Sequence, residues 1–220
     1  MKRAYIGLEF DTAICNSSAG TLIVAGVDEV GRGALFGPVV AAAVILPATA
    51  LSILVEAKIR DSKQLSAYRR QELTQKICAC SLAWGISFAS STEIDQINIL
   101  QASLLAMKRA VLKLKVKPQL CLVDGNHVIK DLAIPQQALV KGDEKSLAIA
   151  SASIVAKVWR DDLITRLALK YPLYDLEANK GYGTARHLQA LRQYGASPLH
   201  RRSFRPCQIE VAAFGGKSGV

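Results

Sequence analysis

Apolar residues fall into two kinds of run along this chain, and together they predict a polypeptide that moves repeatedly between strand and helix. Leu22 to Asp28 is a short, mostly apolar stretch that ends on an acid. Pro38 to Leu46 is a run of valines and alanines, as expected for a strand buried on both faces. The glycines and the arginine between these two strands suit a hairpin or a wide turn. Ser66 to Cys80 reads as a helix and Ala83 to Ala89 as a third strand. Next, Ile97, Leu100, Leu104, Met107, Val111 and Leu114 recur at steps of three and four, which makes one apolar stripe on a helix. Lys108, Arg109, Lys113 and Lys115 lie off that stripe, and Pro118 ends the unit. Gln119 to Asp124 reads as a fourth strand and Ala138 to Val140 as a short fifth. Ser146 to Tyr171 reads as a long helix rich in Ala and Ser, whose small side chains permit close approach to a sheet.

Strands joined to long helices indicate an α/β sandwich, and an early hairpin followed by helix-linked strands indicates a mixed sheet. Residues 1–20 read as a loosely attached lead-in, with a main domain over 21–172. From Asn179 onward Lys180, Arg186, Arg192, Arg201, Arg202, Arg205 and Lys217 face a single acid, Glu210. Thr184 is a good N-cap for a helix that Gly195 stops, so 173–220 reads as a basic helical extension and tail.

Charge narrows the partners. Lys and Arg number 28 against 18 acids, for a formal net charge of +10 over 220 residues. An excess of that size favours a polyanion, nucleic acid above all. The five cysteines are odd in number and contain no C-x-x-C, which fits a reducing cytoplasm better than a disulfide framework. His127, His187 and His200 are too scattered for a zinc motif. Glu9 and Asp11 interrupt the N-terminal apolar residues, so no signal peptide is expected. The longest apolar run, Val39 to Leu46, is far short of the ~20 residues that span a bilayer, and no membrane partner is expected.

Against this basic background, three acids stand where strands end: Asp28, Glu29 and Asp124. Neighbouring strands lie about 4.8 Å apart, so carboxylates at adjacent strand ends would meet. Two such charges ~4.5 Å apart repel by about 4 kcal/mol at an effective dielectric of 20. A cluster of this kind needs a proton or a cation, and an all-oxygen set without His or Cys selects Mg²⁺ or Mn²⁺. One obstacle stands in the way, since consecutive strand residues point to opposite faces. Asp28 and Glu29 share a site only if the strand ends or twists between them, which the glycines at 31 and 33 would allow. The segment "GRGALFG" also resembles a dinucleotide fingerprint, but its last glycine arrives one residue late and a strand follows instead of a helix. A nucleotide-cofactor enzyme therefore rests on that imperfect pattern alone.

The blocks "VAGVDEVGRGALFGPVVAAAVIL", "DSKQLS", "EIDQINILQASLLAM", "LVDGNH", "KGDEKSLAIASASIVAKVWRD", "NKGYGTARHLQAL" and "GASPLHRRSF" run in order from about residue 24 to 205. In them the chain resembles ribonuclease HII, the bacterial type 2 ribonuclease H. The resemblance implies a ribonuclease H-like fold, with a five-stranded mixed sheet flanked by helices and a helical C-terminal extension. It implies two divalent ions, Mn²⁺ or Mg²⁺, held by Asp28, Glu29, Asp124 and Asp143, with Asp161 and Asp162 as rivals for the fourth place. It implies that Gly31, Arg32 and Gly33 contact a ribose 2′-hydroxyl and that Tyr182 stacks on the next deoxyribose. Lys63 of "DSK" would bind a backbone phosphate, or serve as an ordinary surface lysine after a turn. Gly183 stands where the family commonly has proline. Arg201, Arg202 and Arg205 are expected on phosphates that position the duplex, and Lys157 and Arg160 beside acids they neutralise. The implied partners are RNA–DNA hybrids and DNA duplexes containing ribonucleotides, cut by a cytoplasmic monomer active in ribonucleotide excision repair. A noncatalytic duplex-binding module, with structural acids, is the alternative.

Overall fold

The structure, a computed structural model, describes residues 6–17, 20–59 and 65–208. Its main strands are β3 (Val24–Val30), β4 (Val39–Ile45), β5 (Ala83–Ala89), β6 (Leu120–Asp124) and β7 (Gln136–Leu139); β1 (Asn16–Ser17) and β2 (Gly20–Thr21) form a separate small pair. The five main strands make one sheet in the order β5-β4-β3-β6-β7. β3, β4 and β5 pair antiparallel, whereas β6 runs parallel to both β3 and β7. This is the expected mixed sheet, with every expected strand present.

Helices α2 (Ala48–Glu56), α3 (Ala67–Cys80), α4 (Ser91–Leu112) and α6 (Leu147–Ala168) cover the sheet. Strand β4 shows why both faces need cover. Val39, Ala41, Ala43 and Ile45 enter a core with Ala102, Ala106, Met107 and Ala110 of α4. Val40, Ala42 and Val44 enter a second core with residues of α2, α3 and α6. All seven β4 residues are buried, and each large aliphatic side chain removed from water contributes about 1.5–3 kcal/mol. The small-residue face of α6 comes down on β3 at Gly26. A Cβ there would lie 2.1 Å from the Ala148 carbonyl carbon, so any side chain would force the helix off the sheet.

Three features differ from expectation. The lead-in carries a helix, α1 (Ile6–Cys15), and its Asp11 is buried, accepting hydrogen bonds from the Leu147 and Ala148 amides at 2.6 and 3.3 Å. Helix α2 follows β4 after Pro47 within one nearly unbroken apolar stretch, where hydrophobicity alone marks no boundary. Helix α4 starts at Ser91, upstream of its apolar stripe, with a Ser90–Glu93 capping box, and its backbone leaves helical geometry at Asn98.

The chain continues through α5 (Gly142–Lys145), α7 (Leu176–Asn179), α8 (Ala185–Tyr194) and a last turn at Arg205–Cys207. Leu176, Ala190, Leu191 and Cys207 pack with Leu35 and Phe36, which fixes the segment after β3. No helix among the described residues is long and apolar enough to cross a membrane.

Candidate active site

The parallel ladder between β3 and β6 stops at Val27 and Val123, and the next residue of each strand is an aspartate. β3 nevertheless stays paired with β4 as far as Val30. From Asp28 onward β3 therefore has one open side, at the carboxyl end of the parallel strands. A cleft of about 430 Å³ opens there, and its lining includes Asp28, Glu29, Asp124, Asp143, Ser153 and Tyr182. The alternation of strand residues does not separate Asp28 from Glu29, because the sheet has ended on the side where the cleft begins.

Each carboxylate is placed by a different local device. The Glu29 amide donates to Asp28 Oδ1 at 2.7 Å, and the Ser153 hydroxyl bonds the same side chain. Glu29 Oε1 lies 3.2 Å from Nη1 of Arg32, whose side chain is half exposed. The Gly142 amide donates to Asp124 Oδ1 at 2.7 Å, which ties the end of β6 to the start of α5, where Asp143 stands. A Cβ on Gly142 would sit 2.6 Å from a methyl of Ile149 and 3.2 Å from Asp124 Oδ1, so this close approach requires glycine.

Electrostatically the cluster is strained. Burial pushes the Asp28 carboxyl well above the usual range, and the charges of Glu29 and Asp124 push it further. Burial raises Glu29 too, against the pull of Arg32. Asp124 is raised by burial and by Asp143, with the Gly142 amide opposing. Among the described residues no three His, Cys, Asp or Glu side chains are drawn together tightly enough to hold a metal ion as they stand. Hard oxygen donors sharing one cleft, four carboxylates with no His or Cys among them, are the donor set that Mg²⁺ or Mn²⁺ favours.

The rivals for the fourth acid stand elsewhere. Asp161 pairs with Lys157 at 2.8 Å and Arg70 at 3.9 Å, and Asp162 pairs with Arg166 at 3.1 Å; neither lines this cleft.

Behind the cleft the Gly31–Pro38 loop is bound to the segment around Tyr182. Ala34 bridges to Tyr182, and the Leu35 amide donates to the Gly181 carbonyl at 2.8 Å. Two buried arginines hold the loop from beneath, and both correct the sequence reading. Arg201 does not reach out to phosphate; its three nitrogens donate to the carbonyls of Gly37, Arg32 and Gly31. Arg160 spends its hydrogen bonds on no acid; it donates to the carbonyls of Pro38, Lys180 and Phe36. Gly31 has φ +90°, and a Cβ there would strike the Arg160 guanidinium. Gly33 differs, since a Cβ added to it would meet nothing within 4 Å. Arg202 and Arg205 are exposed, and Lys63 lies outside the described residues.

Ser153, Arg70 and Lys157 also line the cleft, and sequence reasoning gave the first two no place in the site. Ser153 sits four residues before Lys157, one turn along the same helix, and that spacing was the available signal.

The family model described as Ribonuclease HII matches residues 25–207. A protein from Nostoc sp. strain PCC 7120 named Ribonuclease HII is 67% identical over 187 residues, which is 85% of this chain and 83% of that protein. Among solved structures, ribonuclease H2 from Pyrococcus horikoshii OT3 aligns with TM-score 0.74 at 29% identity, over 84% of this chain and 95% of that one. Bst-RNase HIII, solved in complex with Mn²⁺, aligns with TM-score 0.72 over 89% of this chain and 71% of that one; its 19% identity speaks to fold alone.

Proposed function

Because the chain belongs to the ribonuclease HII family, we propose that it is an endonuclease that cuts the RNA strand of RNA–DNA hybrids. It also nicks duplex DNA on the 5′ side of an embedded ribonucleotide, leaving 5′-phosphate and 3′-hydroxyl ends. In this reading it acts as a cytoplasmic monomer and begins the excision of ribonucleotides from DNA. The observation that carries the reading is the meeting of four carboxylates in one cleft with Tyr182, itself bridged to the Gly31–Pro38 loop.

Asp28, Glu29, Asp124 and Asp143 would hold two divalent ions, Mg²⁺ or Mn²⁺. When bound, these supply the Lewis acidity that activates a water and neutralises charge on the departing 3′ oxygen. Ser153 orients Asp28 through its hydroxyl, and the Gly142 amide orients Asp124. The open space beside Gly33 admits a sugar to the backbone, and Gly31, Arg32 and Gly33 meet the 2′-hydroxyl that separates RNA from DNA. Tyr182 offers its ring to the next sugar. Lys157 and Arg70, on the cleft wall, attract the phosphate backbone, as does Lys63.

A noncatalytic duplex-binding role leaves four like charges crowded in a cleft with no task. The deciding experiment is one incubation of a DNA duplex carrying a single ribonucleotide with Mg²⁺, Mn²⁺ or chelator, followed by mapping of the cut. The expected result is scission 5′ to the ribonucleotide with either ion and none with chelator. Salt-sensitive binding without scission would establish the binding module instead.

A further inference from the structure

We propose that His187 and His200 are positioning residues: a buried hydrogen-bonded pair that sets Tyr182 against the Gly31–Gly33 loop and so governs discrimination of an isolated ribonucleotide. The inference rests on the reading of Tyr182 given above.

The direction of every bond in the chain is fixed by its ends. The Ser197 amide can only donate, and it donates to His200 Nδ1 at 2.9 Å. His200 therefore carries its proton on Nε2, which faces Nε2 of His187 at 3.0 Å. His187 Nε2 must then accept, so its proton sits on Nδ1, 2.9 Å from the Tyr182 carbonyl. All four ring nitrogens are used, with the Ser197 hydroxyl also 2.8 Å from His200 Nδ1, and a proton added to His187 would set two donors against each other at the Nε2–Nε2 contact.

The pair also closes a circuit through the site. His200 bridges to Phe36, and Ala34 bridges to Tyr182. Shifting the Tyr182 carbonyl breaks the bond to His187, so the pair fixes the backbone from which the Tyr182 ring projects. Two polar rings in an apolar cluster are unfavourable unless fully bonded, and a fully bonded pair admits one arrangement. The titratable groups facing the pair are few. Tyr174 packs its ring on both imidazoles, at 6.0 and 4.6 Å between centroids, and Asp175 acts on His187. Phe36 covers His200 edge-on at 5.0 Å, and neighbouring Arg201 is turned to the loop carbonyls. Burial lowers both imidazoles, His200 to about 4, in keeping with a neutral pair.

The test compares kcat/KM on a duplex carrying one ribonucleotide with kcat/KM on a long hybrid. His200→Phe keeps a ring and removes both nitrogens, and it is expected to lower that ratio about tenfold. His187→Gln retains one donor and one acceptor and restores most of the ratio. In a Tyr182→Ala background His200→Phe adds no further loss, as it acts through Tyr182. If Tyr182→Ala itself leaves the ratio unchanged, the reading of Tyr182 fails. If Tyr182→Ala lowers it and His200→Phe does not, or the two losses simply add, the positioning inference alone is overturned. Should the phenylalanine variant not fold, ¹⁵N imidazole spectra of the wild type decide: Nδ1–H on His187 and Nε2–H on His200 support the inference, and the opposite tautomer of either overturns it.

Discussion

Arg160 and Arg201 are 0% exposed, yet all six of their guanidinium nitrogens donate to backbone carbonyls of the Gly31–Pro38 loop and Lys180. A short distance away, Asp28, Glu29 and Asp124 are also largely withdrawn from water, and each is held above its ordinary pKa by burial, with neighbouring acids adding to it. The first cluster is complete within the chain: its positive charge meets carbonyl dipoles, and the loop is pinned as a result. The second is left incomplete by the same fold. Buried ionic groups normally find partners, so acids still held above their ordinary pKa with Arg32, Arg70 and Lys157 close by point to a further partner from outside the polypeptide. The rigid loop and the frustrated acids are complementary, since a site for a hard cation works only when its surroundings cannot relax to relieve the repulsion.

The largest expected effect breaks this contrast at the acids. Asp28→Asn or Asp124→Asn should lower ribonucleotide-directed cleavage by at least about a hundredfold. The same variants should melt no lower than wild type at neutral pH, because a repelling charge has gone. Cleavage assays and thermal melts on one preparation check both halves. A marked fall in melting temperature would place these acids with the satisfied, structural cluster.

The next effect breaks the contrast at the arginines. Arg201→Met leaves three loop carbonyls without their donor and should cost about 2–4 kcal/mol in urea unfolding. Arg201→Lys should recover only part of that, since one ammonium cannot present a planar fork to three carbonyls. Full recovery would mean that the charge matters and the fork does not.

The smallest effect lies at Asp11, a third buried charge of intermediate kind. It accepts two amides of α6, but burial still raises its pKa from 3.8 to about 6. A raised carboxyl binds its proton more tightly in the folded state. Its contribution to stability is therefore present at low pH and lost as pH rises from about 4 through about 6. Asp11→Asn keeps an oxygen for those amides without the charge. It should match wild type in acid and exceed it by about 1–2 kcal/mol near pH 8, read from melts across pH. A variant less stable than wild type near pH 8 would show that the ionised group is favoured there.

The sheet was legible because its strands are short apolar runs bounded by glycine, proline or acid, as at Leu120–Asp124 before Gly125. Helix α4 was legible in its stripe but not in its start. The Ser90–Glu93 capping signature was in the sequence, upstream of the first stripe residue and interrupted by the break at Asn98. Helix α2 was hidden because Pro47 is the one punctuation mark in the apolar stretch from Val39 to Val55. At the site, Asp28, Glu29 and Asp124 could be suspected from their strand-end positions, whereas Asp143 came from resemblance alone. The burial of Arg201 could not be read at all. Its partners lie 164–170 positions back along the chain, and an arginine in a basic tail looks local and exposed until the loop closes over it.

The most direct test of the central claim, that these acids are short of a cation, is Mn²⁺ binding to the protein alone, followed by the paramagnetic signal of the free ion. Wild type should bind, more weakly as pH falls because raised carboxyls must first lose their protons. Asp28→Asn and Asp124→Asn should each lose at least about tenfold in affinity. Equal affinity in wild type and both variants would contradict the account.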